Sequence, residues 1–153
     1  MYQIRKATMQ DTEKMYQLIR TYADEGKLLH RTLSSLYEHL QCFFVAEQEG
    51  EVVGTVSLHI LDKDLAEVRS LTVSSTLFGM GIGKNLVTAV INESKSLGVQ
   101  TILSLTYQVD FFQKCGFQLV DKKQLPMPKV WKDCVHCSKF SNCDENAMII
   151  HIL

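Results

Sequence analysis

A chain of 153 residues, 46% hydrophobic and 22% charged, has the length and composition of a single soluble domain able to bury a core. Its formal net charge of −1 excludes a large basic surface for nucleic acid. No apolar run has membrane-span length and MYQIRKATMQ lacks a signal-peptide core, so a membrane role is set aside and a cytoplasmic location follows by default.

Tyr2–Lys6 alternates as a short first strand, and Thr8-Met9-Gln10-Asp11 has capping-box spacing. Met15, Leu18, Ile19 and Tyr22 form a helical stripe that Gly26 closes, and Leu33, Leu36, Tyr37 and Leu40 fit a second short helix. Cys42–Gln48 and Val52–Leu61 read as two strands joined across Glu49-Gly50. In the second, Val56, Leu58 and Ile60 alternate with Thr55, Ser57 and His59. Asp62-Lys63-Asp64 turns the chain into a further strand, Glu67–Val73.

That strand opens the stretch around which the chain is organised. A turn carrying Gly79, Gly81 and Gly83 follows it, then a helix with Leu86, Val87, Val90, Ile91 and Leu97 on one face. Lys84, Thr88, Asn92, Glu93 and Lys95 lie opposite, and Gly98 suits a left-handed cap. The first amides of a helix have no intrahelical partner and sit at the positive end of its dipole, so a phosphate fits there. Glycines let backbone approach such a ligand, although a plain strand-to-helix turn uses them too. The run FGMGIG is neither the dinucleotide fingerprint nor a Walker-type loop, which lacks its Gly-Lys-Ser/Thr ending here.

Beyond Gly98, Thr101–Leu105 is an apolar strand, Val109–Lys114 a short helix stopped by Gly116, and Phe117–Val120 a strand. Leu125–Ser141 is irregular and holds Pro126 and Pro128; Ala147–Ile152 reads as the last strand. An antiparallel meander, one crossover helix and a closing strand argue for a mixed sheet with helices on its faces, in the α/β (α+β) class.

Five cysteines without a secretion signal favour reduced thiols or metal ligands over a disulfide framework. Cys134-x2-Cys137-x5-Cys143, with His136 and Asp144 near, supplies candidate ligands for a structural zinc. One close pair plus a single cysteine falls short of a four-ligand pattern, and reduced thiols in an irregular lobe are the preferred reading. Cys115 reads as a small buried thiol rather than a nucleophile. His30, His39, His59 and His151 are isolated in the chain and carry no expected role.

The element order with its glycine turn resembles the GNAT superfamily of acetyl-CoA-dependent N-acetyltransferases. The family signature Gln/Arg-x-x-Gly-x-Gly/Ala falls on Phe78, Gly81 and Gly83, and Phe111-Phe112-Gln113-Lys114-Cys115-Gly116-Phe117 is similar to the usual Phe-Tyr-x-x-x-Gly-Phe. AEVRSLTV, LTYQVDFFQKCGF and the cysteine-bearing tail further resemble the acetyltransferase domain of N-acetylglutamate synthases and their single-domain relatives. The resemblance implies a mostly antiparallel central sheet of about six to seven strands with about four helices. It also implies one such domain over residues 1–153 with an irregular lobe at about 125–146.

By the same resemblance acetyl-CoA is the co-substrate. The cofactor-binding residues that the resemblance implies are Leu71, Thr72, Val73, Phe78, Gly79, Met80, Gly81, Ile82, Gly83, Lys84 and Phe112: the amides from Gly79 to Lys84 cradle the diphosphate, the strand backbone near Leu71 meets the acetyl carbonyl, and Val73 runs along the pantetheine arm. The acceptor is a small amine, foremost an amino acid such as glutamate, with a polyamine or a protein N-terminus as the alternative. Glu67 is the candidate base, or else a solvated strand-end carboxylate; Arg69, on the same face, suits an acceptor carboxylate or an ion pair with Glu67. Lys129 and Lys132 are candidates for a second carboxylate or are simply solvated. Phe78 departs from the basic or amide residue of the signature, and Phe112 from a tyrosine that protonates the leaving thiolate; Tyr107 is the candidate to replace that acid. These departures keep a non-catalytic coenzyme A sensor open, and the resemblance also makes a homodimer an expectation.

Overall fold

The computed structural model describes residues 1–125 and 145–152. The strands are β1 (Gln3–Lys6), β2 (Phe43–Gln48), β3 (Glu51–Asp62), β4 (Leu65–Val73), β5 (Thr101–Thr106), β6 (Gln118–Val120) and β7 (Asn146–His151). The helices are α1 (Thr12–Asp24), α2 (Leu33–Glu38), α3 (Ile82–Leu97) and α4 (Val109–Lys114). All seven strands join one sheet in the order β1-β2-β3-β4-β5-β7-β6. Every neighbouring pair is antiparallel except β4 and β5, which are parallel because α3 carries the chain back between them.

Local chemistry sets the joints. Glu49 and Gly50 have φ of 52° and 81°, the two left-handed residues of a tight hairpin between β2 and β3. Before α1, Thr8 N–H donates to the Asp11 carboxylate at 2.7 Å, as the capping-box spacing predicts. Arg5 clamps the same carboxylate through Nη1 and Nη2 at 2.8 and 2.9 Å, and its Nε reaches Glu47 at 2.6 Å. Gly98, at φ 81°, ends α3 in a left-handed cap.

The sheet is covered on both faces. On one, Ile82, Leu86, Val87 and Val90 of α3 pack on Val56, Leu58, Ala66, Val68 and Ile102, with Phe112 of α4 in the same cluster. On the other, Met15 and Ile19 of α1 and Leu36 of α2 cover Phe43, Val45 and Val52. Each fully buried side chain of this kind contributes about 1.5–3 kcal/mol relative to exposure.

Two expectations about facing need correction. Leu97, placed on the apolar face of α3, is 58% exposed, while Ser94 takes the inward position of the last turn. Its hydroxyl donates to the Val99 carbonyl at 2.7 Å and ties the following loop to the helix. In β3, Ile60 is 51% exposed, whereas Thr55, Ser57 and His59 are buried along with Val56 and Leu58. A central strand covered on both sides buries both of its alternating sets, so alternation alone does not mark the core face.

Candidate active site

The register of β4 with β5 covers only Ala66 with Ile102 and Glu67 with Leu103. Beyond it β4 runs on to Val73 and β5 to Thr106, unpaired with each other, while β5 stays paired with β7 along its length. A gap therefore opens in the sheet between the two strands' C-terminal halves. A bulge lies beside it. Thr55 pairs Thr72 and Ser57 pairs Arg69, so Val56 faces two residues of β4, Ser70 and Leu71. Ser70 has φ 54°, a left-handed conformation uncommon for a non-glycine residue, and such a bulge re-aims the backbone.

At the open end, the Tyr22 hydroxyl donates to the Val73 carbonyl at 2.9 Å and accepts from the Val73 amide at 3.1 Å. Val73, Ser74, Ser75, Phe78, Tyr22 and Lys27 help to line a cleft of ≈ 270 Å³ here. The glycine turn follows. Gly79 and Gly81 have φ of 85° and 81°, with nothing within 4 Å of the position a Cβ would take. Gly83 is different: a Cβ would meet the Phe111 ring at 3.2 Å. The first intrahelical bond of α3 runs from Asn85 N–H to Gly81 O at 3.1 Å. The amides of Ile82, Gly83 and Lys84 thus precede the helical ladder, and Gly81 as N-cap has no side chain to occupy them. The residues present fit a diphosphate: open space, left-handed glycines and free-ended helix amides. Phe78 and Met80 are 60% and 52% exposed at the rim.

On the sheet face that carries α2, Glu67 is 5% exposed, not a solvated strand-end carboxylate. Arg69 reaches its Oε1 through Nε at 2.8 Å and Nη2 at 2.7 Å, so the ion pair foreseen between them is formed. Around them lie Ser57, whose hydroxyl is 3.1 Å from Arg69 O and 2.9 Å from His59 Nε2, and His39, whose ring centroid is 5.7 Å from that of His59. His59, expected to be isolated, is buried and pairs across the hairpin with Glu67. A signal for this was in the chain: positions equidistant from Lys63, the centre of the β3–β4 turn, face each other. Tyr22 was foreseen only as part of an apolar stripe.

Tyr107 is half-buried directly past the end of β5. Phe112 is 4% exposed, its ring edge-on to Phe111 and Phe117 with centroids 5.1 Å away in each case. Desolvation pushes the thiols of Cys115 and Cys42 up, which favours their protonated form; both are half-buried, so Cys115 is less enclosed than the small buried thiol expected from the sequence. Lys129, Lys132, His136, Asp144 and the cysteines Cys134, Cys137 and Cys143 lie outside the described residues. Among the described residues no group of three or more His, Cys, Asp or Glu is placed to hold a metal, and no helix is long and apolar enough to cross a membrane.

The model of the acetyltransferase (GNAT) family matches residues 1–117. The chain belongs to the GNAT family. It is 36% identical over 149 residues to an uncharacterised N-acetyltransferase of Chlorobaculum tepidum, covering 95% of this chain and 94% of that protein. It is 38% identical over 122 residues to the amino-acid acetyltransferase of Mycobacterium tuberculosis, covering 77% of this chain and 69% of the other. The crystal structure of Rv2747 from Mycobacterium tuberculosis in complex with CoA and NLQ superposes with a TM-score of 0.85 at 29% identity over 99% of both chains. N-acetylglutamate synthase from Neisseria gonorrhoeae, complexed with coenzyme A and N-acetyl-glutamate, shares the fold: TM-score 0.90 at 24% identity, over 100% of this chain and 35% of that one. As a GNAT protein, this chain is an acetyl-CoA-dependent N-acetyltransferase, and the gap between β4 and β5 with the adjacent glycine turn is its candidate active site.

Proposed function

We propose that this acetyltransferase moves the acetyl group of acetyl-CoA to the α-amine of a small amino acid, with glutamate the foremost candidate. The observation that carries the reading is the buried Glu67–Arg69 pair beside the gap between β4 and β5. It offers a carboxylate and a guanidinium fork, the two groups that a zwitterionic acceptor needs. Relatives named amino-acid acetyltransferase, one of them 38% identical, support the same class of acceptor.

In this reading the amides from Gly79 to Lys84 hold the diphosphate, and Leu71, Thr72 and Val73 run beside the pantetheine arm. The backbone near Leu71, re-aimed by the bulge, donates to the thioester carbonyl and stabilises the negative charge that develops on its oxygen. Glu67 takes the proton that the acceptor ammonium must lose before its nitrogen attacks. A nearby guanidinium makes a carboxylate a weaker base. An acceptor carboxylate that shares the Arg69 fork therefore relieves Glu67 as it binds. Tyr107 returns a proton to the departing thiolate in place of Phe112, which packing holds in the core. Much of the rate comes from orienting two bound substrates.

A screen of amino acids and polyamines with acetyl-CoA, read by thiol release, tests the proposal. Turnover of L-glutamate or L-glutamine is expected; turnover of spermidine with neither amino acid defeats it. The second reading, a coenzyme A sensor, draws on the two phenylalanines at signature positions. It predicts tight acetyl-CoA binding with no acetyl transfer to any amine in the screen.

A further inference from the structure

Two enclosed hydroxyls sit beside the bulge of β4. Thr55 of β3 and Thr72 of β4 stand opposite each other, 0% and 1% exposed. The Thr55 hydroxyl donates to the Ser70 carbonyl oxygen at 2.8 Å, and its oxygen lies 2.7 Å from that of Thr72. A hydroxyl has one proton, and Thr55 spends its proton on a carbonyl that can only accept. The contact between the two hydroxyls is therefore donated by Thr72. The chain of hydrogen bonds runs from Thr72 through Thr55 to Ser70.

That chain ends on one particular peptide unit. The Ser70 carbonyl and the Leu71 amide belong to the same planar, trans peptide and point in opposite directions. An anchor on the Ser70 oxygen thus fixes where the Leu71 N–H aims. Backbone groups of successive strand residues turn to opposite edges. Ser74 N–H donates to Val53 O of β3 at 2.8 Å, so Val73 turns to the other edge, where the Tyr22 hydroxyl meets it. Two residues back, Leu71 turns the same way, into the gap between β4 and β5. Ser70, with φ 54°, is the joint that lets its carbonyl leave the ladder and reach a side chain. A non-glycine residue keeps such a conformation only where its surroundings fix it, and Thr55 supplies that fixing.

We propose that Thr55, backed by Thr72, is a positioning residue for the acetyl transfer: it sets the aim and the strength of the Leu71 N–H that meets the thioester carbonyl. The inference rests on the reading that this backbone donor stabilises the developing oxyanion. The first effect is aim. A donor of this kind accelerates the reaction only when it points at the position the oxyanion takes. The second effect is polarisation. Hydrogen bonds in series strengthen one another in an enclosed, low-dielectric setting. A carbonyl that accepts one draws electron density from its own amide nitrogen and makes the N–H a better donor. Thr72 adds to this from one bond further back. No proton is transferred along the chain, and neither hydroxyl, being buried, meets the substrate. Serine in place of either threonine keeps the hydroxyl, whereas valine keeps the shape and loses it.

The test reads the thioester itself. Acetyl-CoA labelled with 13C at the acetyl carbonyl is bound without acceptor, and its carbonyl stretch is followed by infrared difference spectroscopy. In the wild type the band is expected at lower frequency than for free acetyl-CoA, since a donor to the oxygen weakens the C=O bond. Thr55→Val is expected to return the band most of the way to the free position, Thr72→Val to return it in part, and Thr55→Ser to leave it near wild type. In steady-state kinetics with an amino-acid acceptor, Thr55→Val is expected to lower kcat about tenfold or more, with KM for acetyl-CoA unchanged, and Thr55→Ser to recover most of that loss. A Thr55→Val band at the wild-type position overturns the proposal, and a loss of kcat with that band unmoved makes Thr55 merely structural. If Thr55→Val does not fold, the Thr72→Val band decides in the same way. A wild-type band at the free position means that no donor meets the thioester and removes the underlying reading; a shifted wild-type band that neither valine variant moves removes the positioning role alone.

Discussion

One hydroxyl, that of Tyr22, satisfies both backbone polar groups of Val73, at 2.9 and 3.1 Å. Val73 needs this partner because β5 no longer pairs with β4 there, and a buried amide or carbonyl left alone is costly. Tyr22→Phe removes both hydrogen bonds and is expected to cost about 1–2 kcal/mol, seen as a lower denaturant midpoint at unchanged slope. If the pantetheine arm pairs with Val73, it takes over the role of the hydroxyl, and the deficit shrinks at saturating acetyl-CoA. An equal deficit with and without acetyl-CoA rules out that pairing.

Gly81 and Gly83 are needed for different reasons. Gly81 is required by conformation, at φ 81° with open space around it, and Gly83 by packing, with Phe111 3.2 Å from a would-be Cβ. Gly81→Ala is expected to cost about 1–2 kcal/mol of stability and Gly81→Asn less, since asparagine tolerates that conformation. Gly83→Ala is expected to recover in combination with Phe111→Leu, which gives the methyl room; Gly81→Ala is not. A thermal-unfolding series over the five variants decides, and rescue of both by Phe111→Leu counts against the distinction.

Glu67 and Arg69 separate by kinetic parameter. Glu67→Gln is expected to lower kcat about 10²–10⁴-fold with KM for acetyl-CoA unchanged. Arg69→Gln is expected to raise KM for an amino-acid acceptor about tenfold or more, equivalent to about 1.4 kcal/mol. The pair is largely buried, with side chains 16% and 7% exposed, so each variant needs a stability measurement beside its kinetics. An Arg69→Gln enzyme with unchanged KM for its amino acid removes Arg69 from the acceptor site.

The Arg5–Asp11 clamp makes stability acid-sensitive. The Arg5 guanidinium, helped by the Thr8 amide, holds the Asp11 carboxyl below its ordinary range against the opposing effect of burial. A carboxyl lowered by folding contributes stability that is complete above its unfolded value of about 3.9 and is lost as pH falls through the folded value. Arg5 is raised by Asp11 and Glu47 and stays charged throughout. Asp11→Asn is therefore expected to cost about 1–2 kcal/mol at neutral pH, and the gap to wild type should narrow on acidification below about pH 4. Urea titrations at two pH values check this; a gap that widens in acid contradicts the assignment.

What was legible in the chain followed from short-range rules. Branched apolar runs, helical stripes and the Glu49-Gly50 turn located the strands and helices, and Gly98 ended α3 where a left-handed cap belongs. Glu67 and Arg69 were legible as a same-face pair because strand side chains alternate. Leu97 and Ile60 were misplaced because burial depends on what lies opposite, which periodicity does not report. His59 escaped notice since, beside Ser57 of its own strand, the residues that enclose it come from β4 and from the end of α2.

By itself the sequence determined the element types and the glycine-rich entry to α3, because each depends on residues within a turn or two of one another, and it carried the GNAT character through the order of those elements and two short motifs. Only the tertiary structure decided where β4 and β5 part, how Tyr22 comes to hold Val73 from 51 residues away, and that Ser57, His59 and Glu67 share one buried patch. Those outcomes depend on strand register and on long-range packing, which set distances between residues that the chain itself keeps apart.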